Sequence, residues 1–293
     1  MLTPMFCAAP RRFFGNVRYN TAQIVFFYHQ GSVGSPPRSI PALMNWIRAN
    51  PGKFQYANPT GGDGFIGAAF IRQVFYYFAG AAQGGTWEEF LGSSTVNEEL
   101  YLARAPLVFT QLKTITDRLA LTSFPAQDTV VNELFANGTV TINLAYDPSH
   151  AGAGILAGTY PNDTMSYVME DGTISNTNFV GIPNNAANKA AALVTANMVA
   201  SLEGAFTRAQ PEYIGSLPAY DATSATFQAS GWDAAFDYID AHASVPSQAE
   251  LVGGESLFHL FPSSPVYFPA LLRVLWSCFQ RTYVSGIESA SNR

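Results

Sequence analysis

The stretch Ala22-Gln23-Ile24-Val25-Phe26-Phe27-Tyr28 restricts the fold more than any other part of the chain. A strand sends successive side chains to opposite faces, so a run that is apolar at consecutive positions needs cover on both. A buried strand in an α/β layer structure provides that cover, whereas a strand with one wet face would alternate. Gly31 to Pro37 then forms a Gly/Ser/Pro loop. Ser39 caps a helix with Pro41 in its first turn and with Ile40, Leu43, Met44 and Ile47 on one face, and Asn50-Pro51-Gly52 stops it.

Further along, Lys53 to Ala57 reads as a short strand. A glycine loop leads into a helix from Phe65 to Phe78, apolar all round and therefore expected to be buried. Helical patterns follow at about 97–120 and 128–136, the second capped by Asp128 and ended by Asn137-Gly138. Thr139 to Tyr146 alternates as a half-buried strand. Ser166–Glu170 and Asn178–Pro183 flank a turn at Asp171-Gly172, and a helix runs from Ala186 to Leu202. Helices and strands alternate throughout, which argues for α/β layers. With 48% hydrophobic and 12% charged residues the chain has a globular composition. A net charge of −6 with no basic run argues against a nucleic-acid partner. Cys7 and Cys278 form no disulfide framework or metal knuckle. At the N-terminus Arg11 and Arg12 follow the short apolar part, the reverse of the order in a signal peptide.

Gly62-Asp63-Gly64-Phe65-Ile66-Gly67 matches G-x-G-x-x-G, and Glu88 and Glu89 fall near the distance of a ribose-binding acid. An NAD-type oxidoreductase built on this loop is the alternative reading, but the strand before the loop is polar. The helix start could still offer backbone N–H groups from Gly64 to Gly67 to a polar ligand, or be a plain tight turn. No nucleophile elbow, H-E-x-x-H or S-x-x-K occurs, so no catalytic residue and no cofactor is expected. His29, His150, His242 and His259 are scattered singly. A metal site of His29, His150 and Asp63 would need the fold to gather them. Tyr28, Tyr146 and Tyr167 lie at or near strand ends, where α/β sheets bind ligands.

Several ordered segments together resemble the YnjB-type extracellular solute-binding proteins, the capture components of ABC transporters. They are Ala22–Tyr28, Ser35–Ser39, Asn50–Phe54, Gly67–Gln73, Glu133–Gly138, Ala145–Ala151 and Gly172–Val180 through Ile182-Pro183. The resemblance implies a two-lobed, type 2 periplasmic-binding-protein-like α/β fold whose first lobe is incomplete. Residues 28–169 would form the second lobe. Residues 1–27 and 170–293 would form the remnant of the first with the C-terminal helices. It further implies a small polar ligand between the lobes, an ABC transporter permease as partner, no enzymatic activity, and a periplasmic or extracellular location. Phe65-Ile66-Gly67-Ala68 lacks two hydroxyl donors that relatives carry there, and Asp147 stands where they have asparagine. The residues expected to touch ligand are Tyr28, Asp63, Gly64, Tyr146, Asp147, Asn176 and Asn178. The tyrosines would stack or donate, Gly64 would offer its N–H, the asparagines would give bidentate contacts, and the acids would favour a cation. A relative with no ligand, acting structurally, is the remaining alternative. An incomplete first lobe should leave Ile24–Phe27 and Phe179–Ile182 uncovered, to be masked by self-association, by a partner or by the aromatic-rich tail.

Overall fold

The computed structural model describes residues 13–60, 65–84, 98–210, 212–213, 217–218 and 258–259. Its first two strands are consecutive: β1 (Phe13–Gln23) and β2 (Val25–His29) are separated by Ile24 alone, yet they belong to different sheets. Helices α1 (Gln30–Val33), α2 (Ile40–Ala49) and α3 (Phe65–Phe75) follow, the last running into a π-turn at Tyr76–Gly80. Next come α4 (Glu98–Thr116), α5 (Asp128–Ala136), β3 (Ile142–Ala145), α6 (His150–Leu156) and β4 (Thr164–Tyr167). Then β5 (Ile174–Pro183) is followed by α7 (Lys189–Val199), α8 (Leu202–Ala209), β6 (Leu217–Pro218) and β7 (Phe258–His259).

One sheet has the order β3-β2-β4, both pairings antiparallel. The other has the order β6-β1-β5-β7, centred on a long antiparallel β1–β5 pair with a register shift between Arg18 and Asn20. The chain passes between the sheets at Ile24 and returns between β4 and β5. The two passages are tied together. Ile24 N–H donates to the Ile174 carbonyl (2.9 Å), Gln23 N–H to that of Tyr146 (3.0 Å), and Gln23 Nε2 to Thr173 Oγ1 (2.6 Å).

The apolar run is covered on both faces, as its pattern requires. Phe26 and Tyr28 enter the main core with Leu43, Ile47, Phe70 and Val108 from α2, α3 and α4. Phe27 faces the other way, into a second cluster with Phe135, Val140 and Tyr160. The expectation that Ile24–Phe27 is uncovered is therefore corrected, since all four residues are 0% exposed. Of the other stretch expected to be uncovered, Phe179 is 45% exposed, but Ile182 is buried with Val17 and Ala196, so that expectation is corrected at its far end. The helix beginning at Phe65 is not buried all round either, because Phe65 itself is 59% exposed while Phe70 and Val74 are fully enclosed. Lys53–Ala57 forms only a single parallel bridge, Phe54 to Ile142, and the cap before α5 is Gln127, with Asp128 its first helical residue. Among the described residues no single helix is long and apolar enough to cross a membrane. The pair α7–α8 reaches that length and composition together but is bent by 55°.

Candidate functional site

Where the two passages meet, β3 ends and Tyr146 and Asp147 begin the loop to α6. The Gln23–Tyr146 hydrogen bond fixes this loop against the end of β1. The Tyr146 ring packs on Phe65 at the start of α3, centroids 4.9 Å apart and planes at 56°. Burial pushes the Tyr146 hydroxyl well above the ordinary tyrosine range; the Arg72 guanidinium pulls it down and the Tyr76 hydroxyl pushes it up. Phe65, Arg72 and Tyr76 stand at i, i+7 and i+11, so one line of α3 and its π-turn faces this loop. Sequence reading missed these three. Arg72, with Gln73 beside it, in a helix otherwise without polar side chains was the signal available.

Asp147 is partly buried, and that burial raises its pKa above the ordinary carboxylate value. Among the described residues its carboxylate makes no hydrogen bond and no ion pair. A desolvated carboxylate without a partner is costly, and a cation beside it would relieve the cost.

The other expected residues are placed as follows. Tyr28 is 8% exposed, in the core, edge-on to Tyr167 with centroids 5.6 Å apart. Asn176 and Asn178 sit on β5 opposite Ala22 and Asn20. Asp63 and Gly64 lie outside the described residues. Just after them, Ile66 N–H donates to Asp128 Oδ2 at 3.4 Å, so the first turn of α3 already meets a carboxylate from α5. Gly67 has a packing reason: a Cβ there would lie 2.0 Å from the Ala57 carbonyl oxygen. The glycine pattern thus opens a helix that abuts a nearly unpaired segment, beside an antiparallel sheet. A dinucleotide site needs a parallel strand leading into the helix.

Of the four histidines, His29 and His150 have described side chains, and both are engaged by other partners. His29 Nε2 lies 2.9 Å from the Phe135 carbonyl oxygen and His150 Nε2 lies 3.0 Å from the Tyr160 hydroxyl. No group of three or more metal-ligating side chains occurs among the described residues. A cavity of about 190 Å³ lies away from the passages, between α7 and the far end of β1–β5. Val17, Val180, Ile182, Leu193 and Ala196 line it, giving it an apolar wall.

No family model matches the chain. Protein YnjB of Escherichia coli (strain K12) is 28% identical over 204 residues, which take in 68% of this chain and 50% of YnjB. The chain therefore spans about half the length of this curated relative. Among solved structures, the spermidine/putrescine ABC transporter substrate-binding protein PotD from Streptococcus pneumoniae superposes with a TM-score of 0.55. That match has 12% identity and covers 91% of this chain and 68% of PotD. The cyclic alpha-maltosyl-1,6-maltose binding protein from Arthrobacter globiformis also scores 0.55, at 15% identity, over 90% of this chain and 66% of that one. The fold is that of the two-lobed periplasmic solute-binding proteins. The solved structures carry this, and the two sheets joined at Ile24 are its local expression.

Proposed function

We propose that the chain is a solute-binding module that holds a small polar, cationic ligand where the two sheets meet, for an ABC-type transporter. The observation that carries the reading is Asp147: a partly buried carboxylate without a partner, next to the Tyr146–Phe65 aromatic pair. An ammonium group there donates a charge-assisted hydrogen bond to Asp147 and finds a ring face on Tyr146 or Phe65. Arg72 beside the Tyr146 hydroxyl marks the limit of the cationic subsite and leaves room for an acceptor on the ligand. Asn176, Asn178, Asp63 and Gly64 belong to the proposal as further polar contacts. Tyr28, whose ring is enclosed in the core against Tyr167, belongs to it as packing support. The sheet β3-β2-β4 with its helices would be one lobe and the sheet around β1–β5 the other. The names of structural neighbours, one a polyamine binder and one an oligosaccharide binder, make amines and sugars the two ligand classes to compare. A transporter permease as partner and a periplasmic or extracellular location complete the reading.

The test is a thermal-shift and calorimetric comparison of putrescine, spermidine, thiamin, maltose and succinate. A ligand at ~100 times its Kd stabilises the folded state by about 2.7 kcal/mol. Amine-selective stabilisation that disappears in Asp147→Asn supports the reading. Stabilisation by maltose or succinate alone, or amine binding that survives the substitution, overturns it.

A further inference from the structure

The loop that carries Tyr146 and Asp147 rests on a partly buried histidine packed against an aromatic cluster. His150 is the first residue of α6, and its backbone N–H donates to the Asp147 carbonyl oxygen at 3.0 Å. Its ring packs against Phe27 (centroids 5.3 Å apart) and Tyr160 (5.8 Å), and its Nε2 lies 3.0 Å from the Tyr160 hydroxyl. Tyr160 has no freedom to withdraw. It packs on Phe27 and Phe135, and its ring lies so close to Gly154 that a Cβ there would stand 2.1 Å from it. We propose that His150 is a proton-operated release for this loop: neutral, it locks α6 and the Tyr146–Asp147 loop to the aromatic cluster, and protonated, it frees them.

The geometry gives two reasons why the imidazolium does not suit its place. It would pack against Phe27 and Tyr160 in a partly buried place, and it would sit at the positive end of α6. Burial accordingly lowers the His150 pKa below the ordinary histidine value. The titratable groups on the elements around it are few. They are Tyr28 and His29 on β2, the latter stacked on Phe135 at 4.0 Å; Asp128 and Glu133 on α5; Tyr160 and Asp163 after α6; and Asp147 before it. The Asp163 carboxylate accepts from Gly31 N–H at 2.9 Å and Glu133 is exposed. The Tyr160 hydroxyl, held neutral by a pKa pushed up to about 12, can give or take one hydrogen bond. Acidification then acts twice on a cationic ligand, by loosening the loop and by protonating Asp147. The link to release rests on the proposed function, while the loosening does not.

The experiment compares backbone amide hydrogen exchange of residues 146–156 at pH 7.5 and 5.5, corrected for intrinsic rates, with NMR titration of the histidine rings. Wild type should lose protection by about tenfold for each pH unit between the ordinary histidine pKa and that of His150. His150→Gln keeps a neutral hydrogen-bonding group and His150→Phe keeps the ring packing; both should abolish the response, while His29→Gln should retain it. An unchanged response in either His150 variant, or a His150 ring that titrates at or above the ordinary value, overturns the proposal. Putrescine binding at the two pH values separates the two readings. A pH-dependent loop with no amine binding at either pH removes the ligand assignment and leaves the proton release standing.

Discussion

At the scale of single residues, the site is defined by what Asp147 lacks. Its pKa is raised, so the folded state holds a proton at pH values where the unfolded chain has released it. Between the ordinary carboxylate pKa and the raised one, stability therefore falls as pH rises. Asp147→Asn removes that dependence: the unliganded variant should melt at a temperature equal to or above wild type at pH 7, and its melting temperature should vary less with pH from 4 to 7. The same substitution should weaken amine binding by about 30-fold or more, corresponding to ~2 kcal/mol for loss of one partner of an enclosed charge pair. Gains in stability with loss of affinity are what a ligand contact produces, and a purely structural carboxylate would give neither. Gly67 is the opposite kind of residue. Its missing Cβ is what lets α3 lie on the Ala57 carbonyl, so Gly67→Ala should cost ~1–3 kcal/mol in urea unfolding with no effect specific to ligand.

Among the elements, helix starts repeat one device. Asp171 Oδ2 accepts from Ile40 N–H at α2 (2.6 Å), Asp128 Oδ2 from Ile66 N–H at α3 (3.4 Å), and Asp163 from Gly31 N–H at α1 (2.9 Å). Each acid comes from a distant segment, so it closes a helix end and fastens two parts of the chain together. At α2 the local cap Ser39, whose Oγ accepts from Ala42 N–H at 3.2 Å, shares the task. Asp171→Ala and Ser39→Ala should each lower stability by ~1 kcal/mol in denaturant unfolding, and the double variant should lose less or more than the sum because both act on one helix end. These staples also show where sequence reading stops. The Ser39 cap, the α2 face and the buried run Ile24–Tyr28 were legible because each depends on neighbours within a few positions. The acids at α1, α2 and α3 were not, since their partners lie 132, 131 and 62 positions away. β1 escaped for a related reason. Its residues Asn16 to Thr21 are polar or mixed, and their partners on β5 lie far along the chain. Of the site, Tyr146 was visible as the last residue of an expected strand and Asp147 through the resemblance to relatives, while Phe65 and Arg72 were hidden in a helix read as uniformly apolar.

For the whole molecule, the decisive feature is that both passages between the sheets sit beside the edge strand β7. Phe258 and His259 pair in parallel with Ile174 and Ser175, and Ile174 is the residue whose carbonyl receives the Ile24 N–H. Ile174 is 0% exposed and part of the main core, so the junction of the sheets and the covering of the β5 edge are one structural problem. Antiparallel β1 protects the other side of β5 along its length, with pairs from Phe13↔Pro183 to Gln23↔Ser175. Removing residues 256–293 would take away β7, the strand that pairs with β5 at the junction. An open strand edge next to an apolar core recruits another strand, and the nearest supply is a second copy of the same chain. The shortened protein should therefore show a mass above monomer by light scattering at micromolar concentration, and unfold at lower urea than the full chain. Exposed Phe179 on β5, together with Leu193, Val194 and Met198 on α7, adds apolar surface around the same sheet. Phe179→Ser in the shortened chain should then reduce the association if the outer sheet face takes part. A shortened chain that stays monomeric and equally stable would show that Ile24 and Ile174 hold the junction without the β7 edge.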